Sequence, residues 1–95
     1  MSNVIAVALA ALQEKMPNGF DGSAKVVIPG EGSIMLDESG ARAGDDEADV
    51  TLTASAEVFQ GILTGDMNPT MAFMTGKLSV DGNMGLAMKL GAALS

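Results

Sequence analysis

The stretch from Thr64 to Lys89 constrains the fold of this chain more than any other segment. It contains two helix-start signals, the dipeptides Asn68-Pro69 and Gly82-Asn83. An Asn side chain accepts hydrogen bonds from the first backbone amides of a helix, and proline fits the first helical position. Between the two signals, apolar and polar residues alternate as they do in a half-buried strand. The predicted elements are a helix over Pro69–Thr75, a strand over Lys77–Asp81 and a helix over Met84–Leu94.

Methionine is concentrated in the same stretch, which contains five of the eight in the chain. Its flexible, polarizable side chain adapts to ligands of varied shape. The chain has no His, Cys, Trp or Tyr, its residues are 47% hydrophobic, and its mean hydropathy is +0.30. A domain of 95 residues has a large surface for its volume, so part of this apolar content is expected to face a cavity, a ligand or a partner. The composition favours a protein that holds an apolar molecule.

Helical spacing of apolar residues also marks two earlier segments. The first runs from a cap at Ser2 or Asn3 to about Met16. The second covers Ala56–Thr64, with Ser55 as its cap and a glycine after its last residue. The C-terminal helix differs from both because it is apolar around most of its circumference, and such a helix must be covered on more than one side.

Four short strands are predicted between the first two helices. They are rich in β-branched residues and are separated by glycine-containing turns. The predicted strands are Ser23–Ile28, Ser33–Asp37, Ala41–Gly44 and Val50–Thr53. Successive hairpins give antiparallel pairing, and strands that come early with helices grouped late predict an α+β fold with one sheet and helices on one face. We expect residues 1–95 to form a single domain.

The net charge of −7 excludes some partners. Nucleic acids and anionic lipid surfaces are bound through clustered Lys and Arg side chains. The five basic residues of this chain are scattered at Lys15, Lys25, Arg42, Lys77 and Lys89. We therefore expect no nucleic-acid partner. The apolar run Val4–Leu12 is too short to span a bilayer and lacks the preceding basic residue of a signal peptide.

The acidic segment 45–49 has two interpretations. Asp45, Glu47 and Asp49 have the alternate spacing of a calcium-binding loop. However, Val50 stands where such a loop needs glycine, and no glutamate follows at the required distance. The segment is therefore predicted to be a solvated connection that discourages edge-to-edge strand pairing, and we expect no metal.

Catalytic chemistry has few candidates in this sequence. The chain has no His to act as a general base, and its serines lie outside any G-x-S-x-G motif. The pair Gly30 and Gly32 lacks the third glycine of a dinucleotide motif, and Gly76-Lys77 lacks the upstream glycine of a P-loop. We therefore expect neither an enzyme nor a cofactor.

Residues 75–90 read TGKLSVDGNMGLAMKL and resemble the C-terminal hallmark of the sterol carrier protein type 2 family. The upstream segments 63–69, 72–73 and 48–52 are also similar to that family. The resemblance implies a five-stranded, mostly antiparallel sheet with helices on one face, enclosing an apolar tunnel. It also implies binding and transfer of sterols, fatty acids, fatty acyl-CoA or phospholipids.

Three features depart from the family pattern. The chain is short, it is acidic where members that dock on anionic membranes are basic, and it ends in Ala-Leu-Ser instead of a Ser-Lys-Leu-type peroxisomal signal. A cytoplasmic lipid carrier fits these departures best. Transient membrane contact and a weak homodimer remain open.

The leading hypothesis is a non-catalytic lipid-binding domain. For any single apolar residue, core packing is the competing interpretation. The alternative function is a protein-interaction module whose apolar C-terminal helix packs against a partner or a second copy. Asn68, Asn83 and Lys89 are the candidates for contact with the polar end of a lipid. The candidate lining residues are Phe59, Ile62, Leu63, Met67, Met71, Phe73, Met74, Met84, Leu86, Met88 and Leu90.

Overall fold

A computed structural model describes residues 3–94 and contains four helices and five strands within that range. The predicted order of helices and strands is confirmed, with most boundaries within one or two residues. The Ser2 alternative for the first cap lies outside the described residues. The elements are α1 Asn3–Lys15, β1 Ala24–Ile28, β2 Gly32–Asp37, β3 Gly40–Ala43, β4 Val50–Thr53, α2 Ala56–Thr64, α3 Pro69–Met74, β5 Ser79–Gly82 and α4 Met84–Leu94.

The five strands form one sheet in the order β3-β2-β1-β4-β5. Neighbouring strands are antiparallel except β1 and β4, which run parallel with Ala24 opposite Val50. The predicted α+β class and mostly antiparallel sheet are therefore confirmed. The parallel pair arises because the connection over residues 44–49 returns the chain from the end of β3 to the start of β1. There the backbone amides of Asp49 and Val50 both donate to the carbonyl of Ser23, at 3.1 and 3.3 Å.

The 44–49 connection runs across the outer face of the sheet. Lys25, Met35 and Arg42 are neighbours on that face. Met35 is nevertheless only 3% exposed, and a Cβ added to Gly44 would lie 3.0 Å from its Cγ. The Nζ of Lys25 also lies 3.0 Å from the Oδ1 of Asp45. The acidic segment therefore covers part of the sheet and contributes one ion pair, while Asp45, Asp46 and Glu47 stay exposed.

The inner face of the sheet carries the core. Alternate residues of β1, β2 and β4 point inward because side chains of a strand alternate between its two faces. The helices add Ile5, Leu12, Phe59, Ile62, Leu90 and Leu94 to the same cluster. The buried inner-face residues of these strands are Ala24, Val26, Ile28, Ile34, Leu36, Val50 and Leu52.

Helix α4 is covered on more than one side, as its apolar circumference predicts, but part of its surface stays open. Leu90 and Leu94 are buried, but Met84 and Met88 are 48% and 75% exposed. Helix α4 packs between α1, α3 and the β4–β5 end of the sheet. Its remaining face is left open because residues 3–94 supply no further element to cover it.

Gly82 and Gly40 form a matched pair for testing the junction between β5 and α4. Both have positive φ, 105° and 108°, which costs an Ala residue about 1–2 kcal/mol. A Cβ at Gly40 meets nothing within 4 Å, whereas one at Gly82 collides with the backbone of Asp49. We predict that Gly82→Ala lowers the free energy of unfolding by at least about 1 kcal/mol more than Gly40→Ala. Urea denaturation measures the free energy of unfolding of both variants. Equal losses of stability would show that the collision at Gly82 is relieved without an energetic cost.

Candidate functional site

An apolar cavity of about 460 Å³ lies between the β4–β5 end of the sheet and helices α2, α3 and α4. Its volume falls within the ~300–1,000 Å³ of typical ligand pockets. Sixteen residues line it, and Asn68 and Thr70 are the two with polar side chains. The lining residues are Leu52, Phe59, Ile62, Asn68, Pro69, Thr70, Phe73, Met74, Leu78, Val80, Met84, Ala87, Met88, Gly91, Ala92 and Leu94.

The lining divides into a buried floor and an exposed rim. The rim consists of Phe73 and Met74 on α3 with Met84 and Met88 on α4, which are 42–75% exposed. Because these side chains both line the cavity and reach solvent, the cavity opens between α3 and α4. The floor consists of Leu52, Phe59, Ile62, Leu78 and Leu94, each at most 5% exposed.

Helix α3 owes its position to a cap at each end. The Oδ1 of Asn68 accepts hydrogen bonds from the amides of Thr70 and Met71, at 2.8 and 3.3 Å. At the other end, the amides of Lys77 and Leu78 both donate to the carbonyl of Ala72, at 2.8 and 3.0 Å. This reversal turns the chain back toward the sheet, so Leu78 enters the floor while α3 remains at the rim.

Helix α4 is fixed at its first turn. The Oδ1 of Asn83 accepts a hydrogen bond from the amide of Leu86 at 3.0 Å. The backbone amide of Asn83 donates to the carbonyl of Asp49 at 2.9 Å, which ties the start of α4 to the start of β4. Met84 and Met88, four residues apart, consequently lie one above the other on the side of α4 that faces the cavity.

No charged side chain lines the cavity, and the ion pairs of the described chain lie elsewhere. Lys89 pairs with Asp21 at 2.8 Å, and this hydrogen bond lowers the pKa of that carboxyl. Arg42 pairs with Asp37 at 2.7 Å and likewise lowers the pKa of Asp37. Among residues 3–94, no cluster of His, Cys, Asp or Glu is suited to hold a metal ion, and no helix is long and apolar enough to cross a membrane.

The sequence of this chain matches the model of the SCP-2 sterol transfer family over residues 4–95. The chain belongs to this family. The resemblance stated from residues 75–90 is therefore confirmed, and it extends over the N-terminal helix and the first strands as well.

Curated proteins from several eukaryotes are similar to this chain in sequence. Peroxisomal multifunctional enzyme A of Dictyostelium discoideum is 48% identical over 65 residues, which are 68% of this chain and 14% of that protein. Sterol carrier protein 2 of Homo sapiens is 46% identical over 61 residues, which are 64% of this chain and 10% of that protein. The chain thus spans between a tenth and a seventh of the length of these relatives.

Solved structures of SCP-2 proteins have the same fold. Sterol carrier protein 2 of Yarrowia lipolytica, in its apo form, has a TM-score of 0.68 and 27% identity, with 97% of this chain and 84% of that chain covered. The Aedes aegypti protein, solved in complex with palmitate, has a TM-score of 0.74 over the whole of both chains. At 21% identity, the second likeness concerns the fold alone.

The structure brings six of the eleven predicted lining residues to the cavity and places five outside it. Leu63 and Met67 pack at the edge of the core, Leu90 is fully buried, and Leu86 is half-buried with its Cδ2 close to Gly22. Met71 is 56% exposed on α3 and does not line the cavity. The six at the cavity are Phe59, Ile62, Phe73, Met74, Met84 and Met88.

The three polar candidates have separate locations. Asn68 lines the cavity, although its Oδ1 is used by the α3 cap. Asn83 caps α4. Lys89 pairs with Asp21 and lies 5.9 Å from the centroid of the Phe20 ring. Of the three, only Asn68 lies at the cavity, and its Nδ2 takes no part in the cap hydrogen bonds.

Sequence reasoning missed the small residues of the lining. Met84, Ala87, Met88 and Gly91 recur at i, i+3, i+4 and i+7, which places them on one face of a helix. The predicted lining contains only large apolar side chains and therefore omits Ala87 and Gly91, although their helical spacing is visible in the sequence. Small residues leave the space that a cavity requires, so they are as informative as the methionines beside them.

We predict that Asn68→Ala lowers the free energy of unfolding by about 1 kcal/mol because it removes the α3 cap. Asn68→Asp is the matched control, since a carboxylate oxygen caps a helix as well as an amide oxygen does. Urea denaturation of the two variants makes the comparison. An equal loss in both would mean that capping is not the contribution of this side chain.

Proposed function

We propose that the cavity between α3 and α4 binds the apolar part of a lipid and that the domain carries lipid without catalysing a reaction. The single observation that carries this proposal is the lining, in which fourteen of sixteen residues lack a polar side chain. Burial of apolar surface stabilises a complex by about 25 cal/mol per Å². The candidate ligands are a fatty acid, a fatty acyl-CoA, a sterol or a phospholipid.

The arrangement of the two polar lining residues supports an orientation for the lipid. Asn68 and Thr70 lie at the start of α3, and both are exposed. A polar headgroup at this position remains hydrated, while an acyl chain extends over Leu52, Ile62 and Leu78. The Aedes aegypti protein, which has the same fold, was solved in complex with palmitate, so a C16 fatty acid is the first ligand to test.

Non-catalytic carriage is supported by the chemistry of the site. A general acid or base needs a titratable group within hydrogen-bond reach of the substrate, and the lining contains none. We infer that residues 1–95 act as one lipid-binding domain in the cytoplasm, with transient contact with membranes. Any enzymatic activity of the longer relatives belongs to those proteins.

A second candidate function is supported by the open face of α4. Met84 and Met88 are exposed, and paired α4 helices of two copies, or α4 against another protein, would cover them. Light scattering over a range of protein concentrations separates the candidates. A mass that doubles with concentration in lipid-free protein favours interaction, whereas a monomer with bound lipid favours carriage.

We predict that native mass spectrometry of the protein purified from cells detects co-purified fatty acid or phospholipid. After delipidation, a fluorescent C16 fatty acid is expected to bind at micromolar concentration and to be displaced by palmitate. Protein that carries no lipid and ignores the fluorescent fatty acid would refute lipid carriage.

Ala87→Phe tests whether the ligand occupies this cavity. Ala87 lies on the cavity side of α4, so the added ring takes up part of the volume. We expect at least about a tenfold loss of fatty-acid affinity, which corresponds to about 1.4 kcal/mol. Ala10→Phe is the matched control, because Ala10 is exposed on α1 and does not line the cavity. Equal affinities in the two variants would place the ligand elsewhere.

A further inference from the structure

The exposed large apolar side chains of this domain are concentrated at the mouth of the cavity. The described chain has six such side chains, of which five lie on α3 and α4 and the sixth, Val7, lies on α1. We call the five the mouth patch. Its members are Met71, Phe73, Met74, Met84 and Met88, with exposed fractions of 42–75%.

The mouth patch is continuous with the cavity and extends beyond it. Met71 precedes Met74 by three residues, so the two are neighbours on the surface of α3. Met71 does not line the cavity, while the other four members do. The patch therefore extends the exposed apolar surface of the opening beyond the cavity lining.

Charge is distributed unevenly between the mouth patch and the rest of the domain. Residues 67–95 contain one acidic residue and two basic ones, whereas residues 1–66 contain eleven acidic residues and three basic ones. The single acidic residue, Asp81, lies beside Thr51 in the register of β4 and β5. Its side chain is on the outer face of the sheet, whereas the preceding residue, Val80, lines the cavity on the inner face. A surface that covers the patch therefore need not desolvate Asp81, while the strongly acidic remainder favours water.

We propose that the mouth patch docks on a zwitterionic lipid surface, with the cavity opening against the lipid. This proposal rests on the proposed lipid-carrying function. Methionine and phenylalanine side chains enter the boundary between headgroups and acyl chains. Lys77, which is exposed just after the end of α3, adds a positive charge that attracts headgroup phosphates. A lipid surface supplies ligand through the opening, whereas a protein on the same patch closes it. Docking through this patch lets an acyl chain pass between bilayer and cavity without crossing water.

Flotation with phosphatidylcholine vesicles tests the proposal with Met71→Gln as the central variant. Gln is similar in length to Met and similar in helix propensity, and Met71 lies outside the cavity lining. We expect vesicle affinity to fall about three- to tenfold while affinity for a fluorescent C16 fatty acid, measured without vesicles, changes less than twofold. Val7→Gln is the matched control and is expected to float like the unaltered protein.

Three flotation results would overturn the docking proposal. They are no flotation of the unaltered protein, equal flotation of Met71→Gln, or an equal loss in Val7→Gln. A concentration-dependent doubling of mass that Met71→Gln removes would assign the patch to a second copy and also overturn it. Fatty-acid binding distinguishes failure of the docking proposal from failure of the proposed lipid carriage. A protein that binds fatty acid but not vesicles retains lipid carriage and loses only this docking surface.

Discussion

The junction at Asp49 is the contact on which the functional half of the domain depends. The Asp49 amide donates to the Ser23 carbonyl, which sets β4 beside β1. The carbonyl of Asp49 accepts a hydrogen bond from the backbone amide of Asn83, which fixes the first turn of α4. Gly82 passes so close to the same carbonyl that a side chain has no room there. One residue thus joins two strands, a turn and a helix, and the cavity lies directly beside the elements that it joins.

This junction explains how a sheet of short strands supports a cavity. A cavity removes packing contacts, and this loss lowers the stability of a small core. Here the floor is closed by residues from three sources: Leu52 of β4, Ile62 of α2 and Leu78 before β5. Each is set by backbone hydrogen bonds as well as by apolar packing. The loss of packing is therefore concentrated between α3 and α4, whose positions their own caps maintain.

Local signals predicted most of the fold, and their success has a physical reason. The caps at Ser55, Asn68 and Asn83 are hydrogen bonds within four residues, so a sequence displays them directly. The parallel pairing of β1 with β4 depends on contacts more than twenty residues apart and has no local signal. Met35 illustrates the same limit, because alternation places it on the outer face and only the 44–49 connection buries it.

The candidate site was predictable in part for the same reason. Rim methionines and floor residues such as Phe59 carry a compositional signal, whereas exclusion of Leu90 and Leu63 from the lining depends on the rotation of α4 and α2. Such rotation is fixed by tertiary packing. The open face of α4 shows this most clearly, since apolar periodicity predicts burial of a helix without identifying what buries it.

The position of each methionine also sets the order in which an oxidant reaches it. Methionine becomes a polar sulfoxide where its sulfur is accessible. Met16 and Met35 are 8% and 3% exposed, whereas Met74 and Met88 are 73% and 75% exposed. Among the methionines of residues 3–94, oxidation therefore starts at the cavity opening, where it makes an apolar entrance polar while the core remains intact. In the part of the chain that the structure describes, the methionines of the opening are thus the ones most vulnerable to oxidation.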